Sequence, residues 1–378
     1  MIRTILFDVD GVFLSEERYF DASALTVWEL LHSGQYLGLS GDTFTPAPEE
    51  EVIRRVRRTV FAADDVLNFI KSRGINSNWD MVYLTFSYQL IRLCQALQPH
   101  AAEEVRDLLT QQIDRTALQR VRRLAETHAS GFAIDYAAFT PDFAKSSLQK
   151  SELLLYLNEI ARERCGIETS IFSRNSELWT LCQETFQEWY LGDERIEASI
   201  GRESMQKGKK GFLKDEIPIV EPAKMRSILT ALKEKGYILG IGTGRPTIET
   251  HVPLAELGLL DLFDPNRVVT ASHVLQAETA FPDKAPLAKP HPYCYVKGLL
   301  GLDRDDQEVL SYPLPIANGE EVLIVGDSLA DLLAARAIGC QFAATLTGLS
   351  GQEARAKFEA EQADYILNDV SEILSILG

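Results

Sequence analysis

Two aspartates one residue apart, Asp8 and Asp10, end the apolar run in "RTILFDVDGVFLS" and lead straight into Gly11. A turn needs only one such residue, so the pair calls for a chemical reason. Residues i and i+2 of a strand share a face. A loop opening at Gly11 can turn sharply enough to set the second carboxylate beside the first. Three distant stretches carry complementary groups: Thr243 in "YILGIGTGRP", Lys289 in "LAKPHP", and Asp327 with Asp331 in "EVLIVGDSLAD". A carboxylate can act as a covalent nucleophile. Mg2+ takes oxygen ligands, carboxylates among them. An ammonium and a hydroxyl can hold phosphoryl oxygens. Together these groups make a kit for phosphoryl transfer, provided the fold gathers them.

The surrounding pattern predicts that it does. Residues 2–7 read as a short buried strand. After about 216 the chain alternates: "EPAKMRSILTALKEKG" as an amphipathic helix, then "YILGIGTGRP", "RVVTASHV", "EVLIVGDS", "CQFAATLTG" and "ADYILND" as strands, with helical patterns such as "LADLLAARAIG" between and after them. Alternation of this kind implies an α/β fold with a doubly wound, Rossmann-like parallel sheet. Such sheets place their sites at the carboxyl ends of the strands, which is where Asp8, Thr243 and Asp327 fall. Lys289 is expected at the start of a helix.

These four stretches resemble the motifs of the haloacid dehalogenase (HAD) superfamily: "DVDGV" the first, "GTGRP" the second, Lys289 of "KPHP" the third and "GDSLAD" the fourth. The resemblance covers the first 15 or so residues and everything after about 216. It implies Asp8 as the nucleophile that becomes an aspartyl-phosphate. Asp10 would be the acid for the leaving oxygen and then the base for water. It further implies a Mg2+ site of Asp8, Asp10 (through its carbonyl) and Asp327, with Asp331 ordering that site through the groups that hold the metal or through water. Thr243 and Lys289 would hold the phosphoryl group, with Gly244 and Arg245 beside them on the substrate side. Arg245 could instead orient its loop.

Residues 16–215 separate the first motif from the second and repeat apolar positions at three and four, as in "WDMVYLTFSYQLIRLCQAL". In the resembled family this is the place of a helical cap of the first type, so the expected domains are a catalytic core of 1–15 and 216–378 and a cap of 16–215. The insertion is large for such a cap, which weakens any transfer of substrate from better-known members. "NSNWDM" and "QEWYLGD" combine aromatic and polar residues, offering Trp79, Asp80, Trp189 and Tyr190 as substrate-facing candidates or as bundle packing. "GRESMQKGKKG" reads as an exposed connector, and Arg54–Arg58 as a solvated helix face.

A formal net charge of −17 opposes a general nucleic-acid or anionic-membrane partner, but a local site can still take a small phosphorylated metabolite. No long uncharged apolar run and no secretory pattern are present. Five scattered cysteines without a Cys-x-x-Cys read as reduced thiols of a cytoplasmic protein. The leading expectation is a Mg2+-dependent phosphatase of a small phosphate monoester. A phosphomutase, a dehalogenase or a non-catalytic binding or scaffold protein remain open, and oligomeric state is not encoded legibly. Each motif also has a plainer reading: a strand-end turn for Asp8 and Asp10, or a helix cap for Asp327-Ser328. "GIGTGR" is not a dinucleotide fingerprint, because Arg245 occupies the place of the last glycine.

Overall fold

In the computed structural model, which describes residues 2–75 and 77–377, the first apolar run forms β1 (Thr4–Phe7). Its side chains alternate between two cores: Ile5 and Phe7 join one cluster and Leu6 the other. A strand buried on both faces is what a parallel sheet covered by helices requires.

The chain divides into two compact units, Met1–Glu17 with Leu213–Gly378, and Arg18–Phe212. The first contains all six strands among the described residues: β1, β2 (Ile238–Gly242), β3 (Val268–Val269), β4 (Val322–Gly326), β5 (Gln341–Thr345) and β6 (Tyr365–Leu367). They form one parallel sheet in the order β3-β2-β1-β4-β5-β6. β1 lies at the centre, where the order reverses, and this is the switch point at which doubly wound sheets open a crevice. Phe7 is level with Ile241 of β2 and with Val325 of β4. Asp8, Thr243 and Asp327 therefore leave the sheet along a single edge.

"RVVTASHV" departs from its expected strand. Only Val268 and Val269 pair, because Thr270 caps a helix, Ala271–Ala280, in a reciprocal box with His273. The competing local signal is the side-chain hydroxyl bonding to the backbone. Lys289 likewise precedes its helix, which starts at Tyr293. On one sheet face the helix Pro222–Glu234 packs Met225, Ile228, Leu229 and Leu232; on the other, Tyr295 and Val296 pack with Leu332, Ala335 and Ile338.

The second unit is helical. Its longest members are Glu17–His32 (which begins one residue before the unit), Asn78–Leu97, Glu152–Cys165 and Glu177–Leu191. No helix among the described residues is long and apolar enough to cross a membrane. All five cysteines are buried free thiols.

Two expectations hold only in part in this unit. The supposed exposed connector contains Lys209, whose buried ammonium lies 2.8 Å from Glu29 and 2.6 Å from Glu188. The basic run also splits. Arg55 and Arg58 are exposed, whereas Arg54 and Arg57 approach buried Asp21 at 3.7 and 3.6 Å. A charge run read locally cannot reveal a buried counter-charge on another helix.

Candidate active site

The rim is assembled from loops that begin where the strands stop. The Asp8 N–H still donates to Val325 O at 2.8 Å, so Asp8 is fixed by the ladder, and the Val9 N–H donates to its Oδ1 at 2.7 Å. Gly11 follows at φ +67°, a left-handed conformation that glycine adopts without steric cost. Its carbonyl accepts the Thr345 hydroxyl at 2.9 Å and the Thr347 hydroxyl at 2.5 Å. The turn after the two aspartates is thereby tied to the loop leaving β5.

Lys289 Nζ stands 2.8 Å from Asp8 Oδ2 and 2.7 Å from Asp331 Oδ1. Asp331 is wholly buried, and each of its oxygens is engaged. Oδ1 also accepts the Tyr295 hydroxyl at 2.7 Å, and Oδ2 accepts the Ser328 hydroxyl at 2.6 Å. Ser328 is the cap of the helix Leu329–Ile338 and accepts the Asp331 N–H. The cap signal and the acidic pair are therefore one device: the residue that starts the helix also aims its first-turn carboxylate.

Asp327 is placed by shape. A Cβ on Gly11 would lie 2.3 Å from its Cγ, and a Cβ on Gly348 would lie 2.0 Å from its Oδ2. Only two residues without side chains leave room for this carboxylate. Oxygens of Asp8, Asp327 and Asp331 all lie within 4.8 Å of one another. An all-oxygen, mostly buried set of carboxylates fits a hard divalent cation such as Mg2+.

The electrostatics follow from this crowding. The Asp8 carboxyl is raised to about 7: burial pushes it up, Lys289 pulls it down, and Asp331 and Asp10 push it up. Burial also drives Asp327 well above the carboxylate range, with Asp8 and Asp331 adding to the effect. For Lys289, burial opposes the charge, but Asp331 and Asp8 outweigh it and raise its pKa. One ammonium meets two of the three clustered carboxylates, so the cluster holds more acidic groups than cations.

Thr243 is buried, and its hydroxyl accepts the Arg245 N–H at 3.2 Å. Gly244 is exposed, with open space where a Cβ would stand. Arg245, expected beside the substrate, is 1% exposed and commits its guanidinium to protein carboxylates. Nε and Nη2 donate to Asp10 Oδ1 at 2.8 and 2.6 Å, and Nη1 donates to Glu216 Oε1 at 2.7 Å.

Of the candidates in the helical unit, Asp80 accepts the Trp179 indole N–H at 2.7 Å and Trp79 meets Trp179 edge to face. Tyr190 stacks on Tyr19, and Trp189 is buried against Phe44. These side chains pack their own bundle; Asn76 of "NSNWDM" lies outside the described residues. Sequence reasoning passed over Tyr295, Gly348 and Glu216. Of the three, Gly348 alone carries a local hint, a glycine shortly after the fifth strand.

The haloacid dehalogenase-like hydrolase family model matches residues 2–339. A phosphoglycolate phosphatase of Pasteurella multocida (strain Pm70) is 30% identical over 194 residues, covering 50% of this chain and 69% of that protein. Pyrophosphatase PpaX of Bacillus mycoides (strain KBAB4) is 33% identical over 149 residues, 39% of this chain and 55% of that protein. An X-ray structure of a Northeast Structural Genomics Consortium target is 38% identical with a TM-score of 0.90, covering 100% of this chain and 98% of that one.

Proposed function

Because the chain belongs to the haloacid dehalogenase-like hydrolases, we propose that it is a Mg2+-dependent phosphatase of a small phosphate monoester, working through an aspartyl-phosphate on Asp8. The observation that carries this reading is the cluster itself: Asp8 held 2.8 Å from Lys289, with Asp327 and Asp331 within 4.8 Å. Asp8 attacks phosphorus as the ester P–O bond breaks, and Asp10 gives its proton to the leaving oxygen. Asp10 then takes a proton from water, whose oxygen attacks phosphorus, and the bond to Asp8 breaks to free phosphate. Lys289 and Thr243 hold the phosphoryl oxygens throughout.

Asp8, Asp327 and the Asp10 carbonyl would hold Mg2+, with Asp331 ordering the site. The ion would supply the positive charge that three carboxylates and one ammonium lack. Residues 16–215 act, in this reading, as a cap that keeps bulk water from the acyl-phosphate. The relatives' names put phosphoglycolate and pyrophosphate first in any substrate panel.

The test is phosphate release across a panel of phosphate monoesters and pyrophosphate, with Mg2+ and with chelator. Metal-dependent release that Asp8→Asn abolishes supports the reading. Release that persists in pure Asp8→Asn protein removes the nucleophile and the mechanism with it. Silence from folded, metal-loaded protein moves the weight to a mutase or a binding role.

A further inference from the structure

We propose that Glu216 is a positioning residue of this reaction: acting through Arg245, it sets the place of the Asp10 carboxylate. The inference rests on the reading of Asp10 as acid and base. A guanidinium is a rigid planar fork, so fixing one arm fixes the direction of the others. Glu216 holds Nη1 at 2.7 Å, while Nε and Nη2 point at Asp10. The backbone of Arg245 is fixed as well, since its N–H donates to the Thr243 hydroxyl and its carbonyl accepts the Ala271 N–H at 2.9 Å.

Glu216 is equally well anchored. The segment that follows it pairs with the loop that follows Asp10. Ser15 N–H donates to Ile217 O at 2.8 Å, Ile219 N–H donates to Phe13 O at 2.9 Å, and Leu14 bridges Pro218. The loop carrying Asp10 is thus gripped twice by residues 216–219, once through the backbone and once through the Glu216–Arg245–Asp10 chain.

Asp10 needs that grip. Its side chain is 26% exposed, and a partly solvated carboxylate on a loop turns readily between rotamers. Both guanidinium bonds fall on Oδ1. Among the described residues this leaves Oδ2 as the oxygen able to pass a proton. Stability alone is a weak reason to keep such an arrangement, because a buried ion pair seldom outweighs its own desolvation. Proton transfer, in contrast, demands hydrogen-bond reach and alignment.

The experiment uses the full chain with Mg2+ and whichever panel substrate is released fastest. Glu216→Gln is expected to lower kcat roughly 10- to 100-fold, the scale of a misplaced catalytic group, with KM within about twofold. Arg245→Lys, which keeps the charge but cannot span two carboxylates, is expected to do the same and serves if Glu216→Gln folds poorly. A lowered melting temperature with unchanged kcat would reduce Glu216 to a structural residue and overturn the proposal.

A second arm needs no substrate. If Glu216 acts on Asp10 through Arg245, the melting-temperature shifts of Glu216→Gln and Asp10→Asn are less than additive in the double variant. Additive shifts overturn the proposal even if no panel substrate is turned over. That last result would count against the phosphatase reading separately.

Discussion

A Cβ at position 348 would stand 2.0 Å from Asp327 Oδ2, so Gly348→Ala must displace a carboxylate of the candidate metal site without touching the sheet. The expected outcome is a kcat reduced about 100-fold, weaker Mg2+ binding by calorimetry, and an unchanged far-UV spectrum. Wild-type kcat in this variant would show that the present place of Asp327 is not needed. Tyr295→Phe tests the other side of the cluster. It deletes one of two donors to Asp331 Oδ1 while leaving the ring to pack. Loss of a hydrogen bond to a buried charged group costs about 1–3 kcal/mol, measurable as a lower denaturation midpoint. A smaller loss would mean that Lys289 alone satisfies that oxygen.

At the scale of elements, the helical unit buries an ionic cluster within its apolar packing. Lys209 joins Glu29 of Glu17–His32 to Glu188 of Glu177–Leu191, and Arg202 adds a second cation to Glu188 at 2.7 Å. Lys209→Met would leave Glu29 without its cation and, above about pH 7 where Glu29 is ionised, is expected to destabilise the protein by about 3–5 kcal/mol in chemical denaturation.

Glu29 also carries a pH dependence. Burial raises its carboxyl from 4.5 to about 7, against the pull of Lys209. The folded protein therefore holds this proton more tightly than the unfolded chain does. The resulting stability is fully present below about pH 4.5 and is lost as the pH rises to about 7. Glu29→Gln should flatten that part of the melting-temperature profile; an unaltered slope would assign it to other buried carboxylates.

Over the whole molecule, the −17 charge opposes the approach of any anionic ester, although the rim supplies a local lysine. Screening by salt should therefore help binding. Raising ionic strength from about 0.01 to 0.15 M shortens the Debye length from roughly 30 to 8 Å. Over that range kcat/KM for a dianionic substrate is expected to rise about two- to fivefold at fixed free Mg2+. A fall would show that local cations, not the net charge, govern encounter.

The sequence by itself determined that six strands exist, though not how short β3 is, their parallel alternation with helices, and the strand ends that carry Asp8, Thr243 and Asp327. These features were legible because they are local: apolar runs of strand length, helical periodicity, and polar residues where the runs stop. The cap signal at Ser328 was legible too, though not its second task of aiming Asp331. Tertiary structure alone decided the rest. Glu216 reaches Asp10 only because residues 217–219 pair with residues 13–15. Gly348 matters only because the loop after β5 returns beside Asp327, and Lys209 is buried only because two helices bring carboxylates to it. The burial of a charge and the clearance around an atom depend on neighbours remote in sequence, and no local pattern can express them.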